Sequence, residues 1–256
     1  MNKPVVIIGV GEMGGVFARG FLRLGYPVYP VTRNMDMAQC ASEIPDPEMV
    51  LLAVAEKDLH PALEKIPAAW RDRLALLQNE LLPHDWQQYD LDQPTVISVW
   101  FEKKKGQDAK VIIPSPVYGP KSQLINDALN AIDIPCDPLV DEDRLLFELV
   151  VKNVYILTTN ISGLETGGTV GELWEHHRKV ADAVSREVIA IQQALTGREF
   201  NADELIAAMV RAFEGDLAHQ CMGRSAPSRL ERALEQAKKF GVSVEKMIDI
   251  SAAANT

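Results

Sequence analysis

Cysteine is scarce in this sequence: three residues in 256, at the widely separated positions Cys40, Cys136 and Cys221. No pair has the spacing of a metal knuckle or a redox motif, so neither a thiolate metal site nor a disulfide framework is expected. His176 and His177 are adjacent and would point about 100° apart on a helix, a poor clamp, so no metal is anticipated. Basic charge is also short, with 26 Lys+Arg against 36 Asp+Glu and a net charge of −10. Broad nucleic-acid binding needs a basic surface that releases counterions, so nucleic-acid partners are excluded. The compact basic run Lys103-Lys104-Lys105 reads as a solvated turn, with a single phosphate contact as its alternative. Long apolar runs are missing as well. The sequence reading finds no stretch that approaches the roughly 18 residues of a membrane span. The short apolar run near the start flows into a glycine pattern instead of a signal cleavage site. The expected location is the cytoplasm, with no membrane partner. Internal repeats and low-complexity segments are absent.

What is present is an ordinary globular composition, 47% apolar and 24% charged, in a chain long enough for two domains with separate cores. The first half alternates short apolar runs with helical patterns. PVVIIGV, PVYPVTR, MVLLAVA, LALLQN, TVISVWF and AKVIIPS read as strands. FARGFLRLG and EKDLHPALEKI read as helices, and the short connection from Asn34 to Pro47 leaves room only for a small one. Strands alternating with helices predict a mostly parallel sheet covered on both faces. After about Pro138 the pattern becomes helical. DEDRLLFELVVKNVYILTTNIS lacks proline and is apolar nearly all round, which predicts a helix buried on several sides. Three further helical segments and a short tail helix follow. The predicted fold class is α/β: a Rossmann-type N-terminal domain, residues 1–138, with a C-terminal all-helical domain, residues 139–256.

Gly9-Val10-Gly11-Glu12-Met13-Gly14 closes the first strand and opens the first helix. The first glycine permits the tight turn, the second lets backbone approach a pyrophosphate, and the third brings helix and strand close. The helix start then offers free N–H groups to phosphate. NAD-binding chains usually place Asp or Glu at the end of the second strand. This one has Thr32-Arg33-Asn34, and a guanidinium can pair with the extra phosphate of NADP(H). Gly9, Gly11, Glu12, Met13, Gly14, Thr32 and Arg33 are therefore the predicted cofactor contacts.

Lys152 is the one cation in ELVVKNVYILTTNIS, and a buried ammonium is costly unless paired, solvated or deprotonated. Two readings stand. Glu148 lies four residues earlier, the spacing of a helix-surface ion pair, or the amine is functional.

The pattern as a whole resembles the ketopantoate reductase family, within the group that includes 6-phosphogluconate dehydrogenase-like proteins. The resemblance rests on the glycine loop with Arg33, on Gln78-Asn79 in LLQNELL, on Lys152 early in the long helix, on Asn160, and on Gly171-Glu172-Leu173 with His176-His177. It implies that Lys152 is the catalytic lysine at the interdomain cleft, donating a proton to a carbonyl oxygen as hydride arrives. It also implies that Asn79 lies near nicotinamide and substrate, and that Asn160, about 80° around the helix from Lys152, lines the substrate pocket. Three departures stand out. Glu80 follows Gln-Asn where the family often has Gly, and Ile156 replaces a second asparagine. The segment Cys221-Met-Gly-Arg-Ser225-Ala-Pro-Ser228-Arg229 is shortened, without a clear counterpart of the family's glutamate. Within that segment Arg224 and Ser225, and also Ser228, are candidate anchors for a substrate carboxylate, or simply helix-cap residues.

The expected function is NADPH-dependent reduction of a small 2-oxo acid or related carbonyl compound. An NADP-binding sensor without turnover is the alternative, as is the same site run in the oxidative direction. The expected partner is a small carboxylate, and leftover apolar surface on the helical half would allow a homodimer.

Overall fold

The computed structural model describes residues 2–91 and 93–254. The outermost positions of the two predicted domains, 1 and 255–256, lie outside the described residues. The chain separates into two compact units, Met1–Glu148 and Leu149–Thr256.

In the first unit, β1 (Val5–Ile8), β2 (Val28–Val31), β3 (Met49–Leu52) and β4 (Leu74–Leu76) lie side by side and parallel, in the order β2-β1-β3-β4. Every residue of β1 and β3 is buried. That is why these segments read as unbroken apolar runs without alternation: both faces of the sheet are covered. Val5, Ile7, Met49 and Leu51 join one core with Phe17 and Phe21 of α1 (Glu12–Arg23). The predicted small second helix is α2 (Met37–Glu43), capped by the Asp36 side chain, which accepts from the Ala38 N–H at 2.8 Å. EKDLHPALEKI forms a 3-10 turn, Glu56–Asp58, and the short helix α3 (Leu59–Leu63).

The far side of the sheet is more divided than its sequence implied. TVISVWF supplies β5 (Thr95–Ile97), parallel to β4, and then β6 (Phe101–Glu102). AKVIIPS supplies β7 (Lys110–Val111), which pairs with β6 in a separate hairpin, and opens β8 (Ser115–Tyr118), which runs antiparallel to β5. The helix α5 (Ser122–Asn130) and the edge strand β9 (Cys136–Pro138) have no counterpart in the sequence reading. Between β4 and β5, α4 (Pro83–Gln87) is a single short helical segment.

The second unit is helical. The long helix α6 (Glu142–Thr166) begins in the first unit and passes into the second. By length and composition it could cross a membrane, but 83% of its most apolar window is buried within the protein. The expectation that no stretch is long and apolar enough is thereby corrected: the helix supplies one, and protein packs around it. The segment read as one helix from Val170 is two, α7 (Val170–His176) and α8 (Arg178–Thr196), broken at His177. Thr169 and Glu172 form a capping box that starts α7, satisfying two orphan N–H groups reciprocally. Then come α9 (Ala202–Gly215), α10 (Ala226–Phe240) and α11 (Glu245–Ala254). Left-handed glycines, Gly197 and Gly241, end α8 and α10.

Candidate functional site

The glycine loop sits where the strand order reverses. β1 is flanked by β2 and β3, and the chain leaves its C-terminal end into α1, at the switch point where open α/β sheets bind ligands. Gly9 has φ +93°, and a Cβ there would meet the Ala53 carbonyl oxygen at 2.7 Å. A Cβ on Gly14 would meet the Gly9 carbonyl oxygen at 2.1 Å. Both are backbone collisions that no rotamer change relieves. A Cβ on Gly11 meets no protein atom within 4 Å. Gly11 is also the N-cap of α1 and supplies no capping side chain. The loop thus leaves open space in front of unsatisfied helix N–H donors, the arrangement a pyrophosphate requires. The residues present fit a dinucleotide.

Other predicted cofactor contacts fall around this point. Glu12 is exposed in the first turn of α1, and Met13 is half-buried. The ammonium of Lys103, just after β6, donates to Glu12 Oε2 at 3.1 Å and to the Lys104 carbonyl at 2.9 Å. Thr32 and Arg33 are exposed in the turn that ends β2, where Met35 N–H bonds the Thr32 carbonyl at 3.0 Å. Asp36, the nearest acid, is occupied in capping α2.

At the end of β4, Gln78 and Asn79 divide the labour. Gln78 is buried; its amide donates to the carbonyls of Leu52 at 2.7 Å and Val54 at 3.3 Å and accepts from the Leu77 N–H at 3.2 Å. It therefore ties the C-terminal ends of β3 and β4 together. Asn79 is exposed and donates to Glu56 Oε1 at 3.0 Å. The motif named Gln78 without assigning it a task; its burial beside two strand-end carbonyls gives it a structural one.

In the second unit Lys152 is half-buried on α6, with its ammonium 5.8 Å from the centre of the Tyr155 ring. Tyr155 in turn meets Phe213 and His219 in tilted ring contacts, with ring centres 5.5 and 6.3 Å away. Loss of solvation, aided by the nearby positive charge of Arg229, pushes the Lys152 pKa down from 10.5 to about 7. Glu148, the candidate surface partner, holds Arg144 at 2.6 Å. Asn160 is buried two turns further on. Its Nδ2 donates to the Ile156 carbonyl at 2.9 Å, which turns its Oδ1 toward Arg229 Nη1 at 3.2 Å.

Searches against known proteins give a consistent picture of the fold. No protein-family model matches the sequence, and no curated protein matches it significantly. Among solved structures, a 2-dehydropantoate 2-reductase from Methylococcus capsulatus superposes with a TM-score of 0.72 at 12% identity, covering 98% of this chain and 96% of its own. A D-mandelate dehydrogenase in complex with NADH superposes at 0.70 with 14% identity, covering 98% and 97%. A ketopantoate reductase from Ralstonia eutropha does so at 0.68 with 14% identity and the same coverage. The chain has the ketopantoate reductase fold.

Within the ketopantoate reductase fold, the sequence departures acquire physical explanations. Glu80, which replaces a glycine, has φ 60°; the turn after Gln78-Asn79 demands a left-handed residue, and here a glutamate bears the strain. The start of the shortened segment and the residues just before it are held through backbone bonds to the α6–α7 connection and the start of α7. Cys221 N–H bonds the Gly168 carbonyl at 3.0 Å, Val170 N–H bonds the His219 carbonyl at 2.9 Å, and Gly171 N–H bonds the Leu217 carbonyl at 3.0 Å. Burial pushes the Cys221 thiol up to about 11, so it stays protonated and inert near neutrality. Of the predicted substrate contacts, Asn160 is buried beside a cation. Arg224 is exposed, and Ser225 occupies the N-cap of α10 without making a side-chain capping bond. The guanidinium that the structure buries is that of Arg229, 8% exposed on the first turn of α10. In the sequence Arg229 only closes the shortened segment. Its signal there was weak: a basic residue at the start of an amphipathic helix ordinarily faces water.

Proposed function

We propose that the protein is an NADPH-dependent reductase of a small 2-oxo acid, with Lys152 as the proton donor. The observation that carries this reading is the placement of the Lys152 amine on the apolar helix α6, 5.8 Å from the Tyr155 ring centre, in a chain whose fold is that of hydride-transfer enzymes; burial and a neighbouring cation push its pKa down to about 7. An amine with that pKa has appreciable populations of both forms at neutral pH, as a general acid requires.

The first unit supports cofactor binding through Gly9, Gly11 and Gly14, whose backbone leaves room for the pyrophosphate at the helix start. Arg33 supports the choice of NADPH, since its guanidinium pairs with a ribose phosphate and no free carboxylate stands at the end of β2 to repel it. When bound, a reduced nicotinamide supplies the hydride. Lys152 Nζ would give a proton to the substrate's carbonyl oxygen as the carbonyl is reduced. The lysine is left as a neutral amine that solvent reprotonates. Asn79 is read as a positioning group at the cofactor.

The test follows absorbance loss of NADPH and of NADH with a panel of 2-oxo acids. Turnover is expected with NADPH and is expected to fall about 10²–10⁴-fold in Lys152→Ala. Arg33→Ala is expected to raise the KM for NADPH and leave that for NADH unchanged. A wild-type protein that binds NADPH and reduces none of the panel overturns the reading.

A further inference from the structure

Met35 is a large apolar side chain, 38% exposed, in a turn whose other members, Thr32, Arg33, Asn34 and Asp36, are all polar. A single exposed apolar residue is ordinary. This one is held in place. Its N–H donates to the Thr32 carbonyl at 3.0 Å, and its Sδ accepts from the Thr32 N–H at 3.4 Å. The thioether is thereby folded back over the end of β2 instead of trailing into solvent. Val10, 42% exposed, stands beside the same strand end in the glycine loop, because the residue before it, Gly9, donates its N–H to the Val31 carbonyl at 2.9 Å. Two exposed apolar side chains therefore border the C-terminal end of β2, one from each segment that meets there.

A dinucleotide whose pyrophosphate lies at the start of α1 places one ribose at the end of β2, where its hydroxyls or 2′-phosphate are read. The base on that ribose must then lie within one sugar of the turn that carries Met35. The edges of a base can stay in water, but its π faces gain by leaving it. A thioether is a soft, polarisable partner for such a face.

We propose that Met35 is the platform on which the adenine base of the cofactor rests, with Val10 continuing its apolar edge. This rests on the dinucleotide reading of the glycine loop, and not on the identity of the substrate or the role of Lys152. Arg33 and Met35 then divide the recognition of adenosine. The guanidinium reads the 2′-phosphate and so chooses between NADPH and NADH. The thioether serves the base that both cofactors carry, and so favours neither.

The experiment measures binding of NADPH, NADH and adenosine 2′,5′-bisphosphate by isothermal titration, without substrate. Met35→Ala is expected to weaken all three by the same factor, about three- to tenfold, as for loss of a sulfur–aromatic contact. Met35→Leu keeps the apolar area and lacks the acceptor sulfur, and is expected to stay within about twofold of wild type. Leu22→Ala, which removes an exposed apolar side chain at the far end of α1, is the control and is expected to change nothing. Urea midpoints check that each variant is folded. Unchanged affinities in Met35→Ala, or a loss confined to NADPH, overturn the proposal. So does an equal loss in Met35→Leu, which would assign the effect to the sulfur bond within the turn. The two readings fail separately. Met35-dependent binding of the bisphosphate without turnover of any 2-oxo acid keeps the base platform and removes the reductase. Turnover of NADPH with unaltered affinities in Met35→Ala does the reverse. A wild-type protein that binds none of the three ligands overturns both.

Discussion

The ammonium of Lys103 stands 3.1 Å from the Glu12 carboxylate, joining residues 91 positions apart at the mouth of the glycine loop. Glu12 places a negative charge in the first turn of α1, where it complements the helix dipole and opposes an incoming phosphate. Lys103 offsets that opposition. Lys103→Ala is expected to weaken NADPH binding about three- to tenfold, with most of the loss recovered in the double variant with Glu12→Gln. Isothermal titration of NADPH at low and high salt checks both, and the effect should shrink at high salt.

The three loop glycines should respond differently to alanine. Gly14→Ala drives a Cβ into the Gly9 carbonyl, 2.1 Å away, so it is expected to destabilise the protein by about 2 kcal/mol or more. Gly11→Ala meets no protein atom within 4 Å. It is expected to leave urea stability within about 0.5 kcal/mol of wild type while sharply reducing affinity for NADPH. Loss of stability in Gly11→Ala would show that the space in front of α1 is not reserved for a ligand.

Lys152 should shape both rate and stability against pH. Its folded-state pKa, about 7, lies below its ordinary value of 10.5. Reduction needs the ammonium, so kcat/KM is expected to fall as pH rises through about 7, and Arg229→Gln should move that midpoint upward by removing a repelling charge. For stability, the unfolded chain binds the extra proton between pH 7 and 10.5, so stability rises with pH across that window. Below about pH 7 both states are charged and the cost is fully present. Lys152→Met is expected to stabilise the protein at pH 6, by an amount of order 2 kcal/mol after allowance for partial exposure, and to flatten the alkaline slope. Denaturant titrations at pH 6, 8 and 10 check it.

Glu80 offers a stability test away from the chemistry. With φ 60°, it occupies a region that costs a side-chain-bearing residue roughly 1–2 kcal/mol and costs glycine little. Glu80→Gly is expected to be neutral or stabilising by up to about 1 kcal/mol, and Glu80→Val destabilising by more than that, since a β-branched side chain tolerates this conformation worst. Urea midpoints of the two variants decide it.

Much of the fold was legible because its signals are local. Strand, glycine turn and helix start are contiguous in residues 5–23, and the chemistry of that turn depends on near neighbours. The brevity of α2 followed from a count of intervening residues. What escaped notice depends on distant partners. β9 is three residues long and exists only because β8 lies beside it. The break at His177 divides a continuous helical pattern, and nothing in the pattern marks where two helices must separate to pack.

The sequence by itself determined that a mostly parallel sheet precedes a helical half, that Gly9, Gly11 and Gly14 form the turn between β1 and α1, and that Lys152 lies in an apolar helix. Each of these follows from residue spacing and from the intrinsic properties of glycine and lysine. Only the tertiary structure decided which arginine near the start of α10 is buried, that Asn160 locks it, and that a second cation depresses the Lys152 pKa. Burial and Coulomb interaction depend on distance in space, and Arg229 meets Asn160, 69 residues away, only once α6 and α10 have packed.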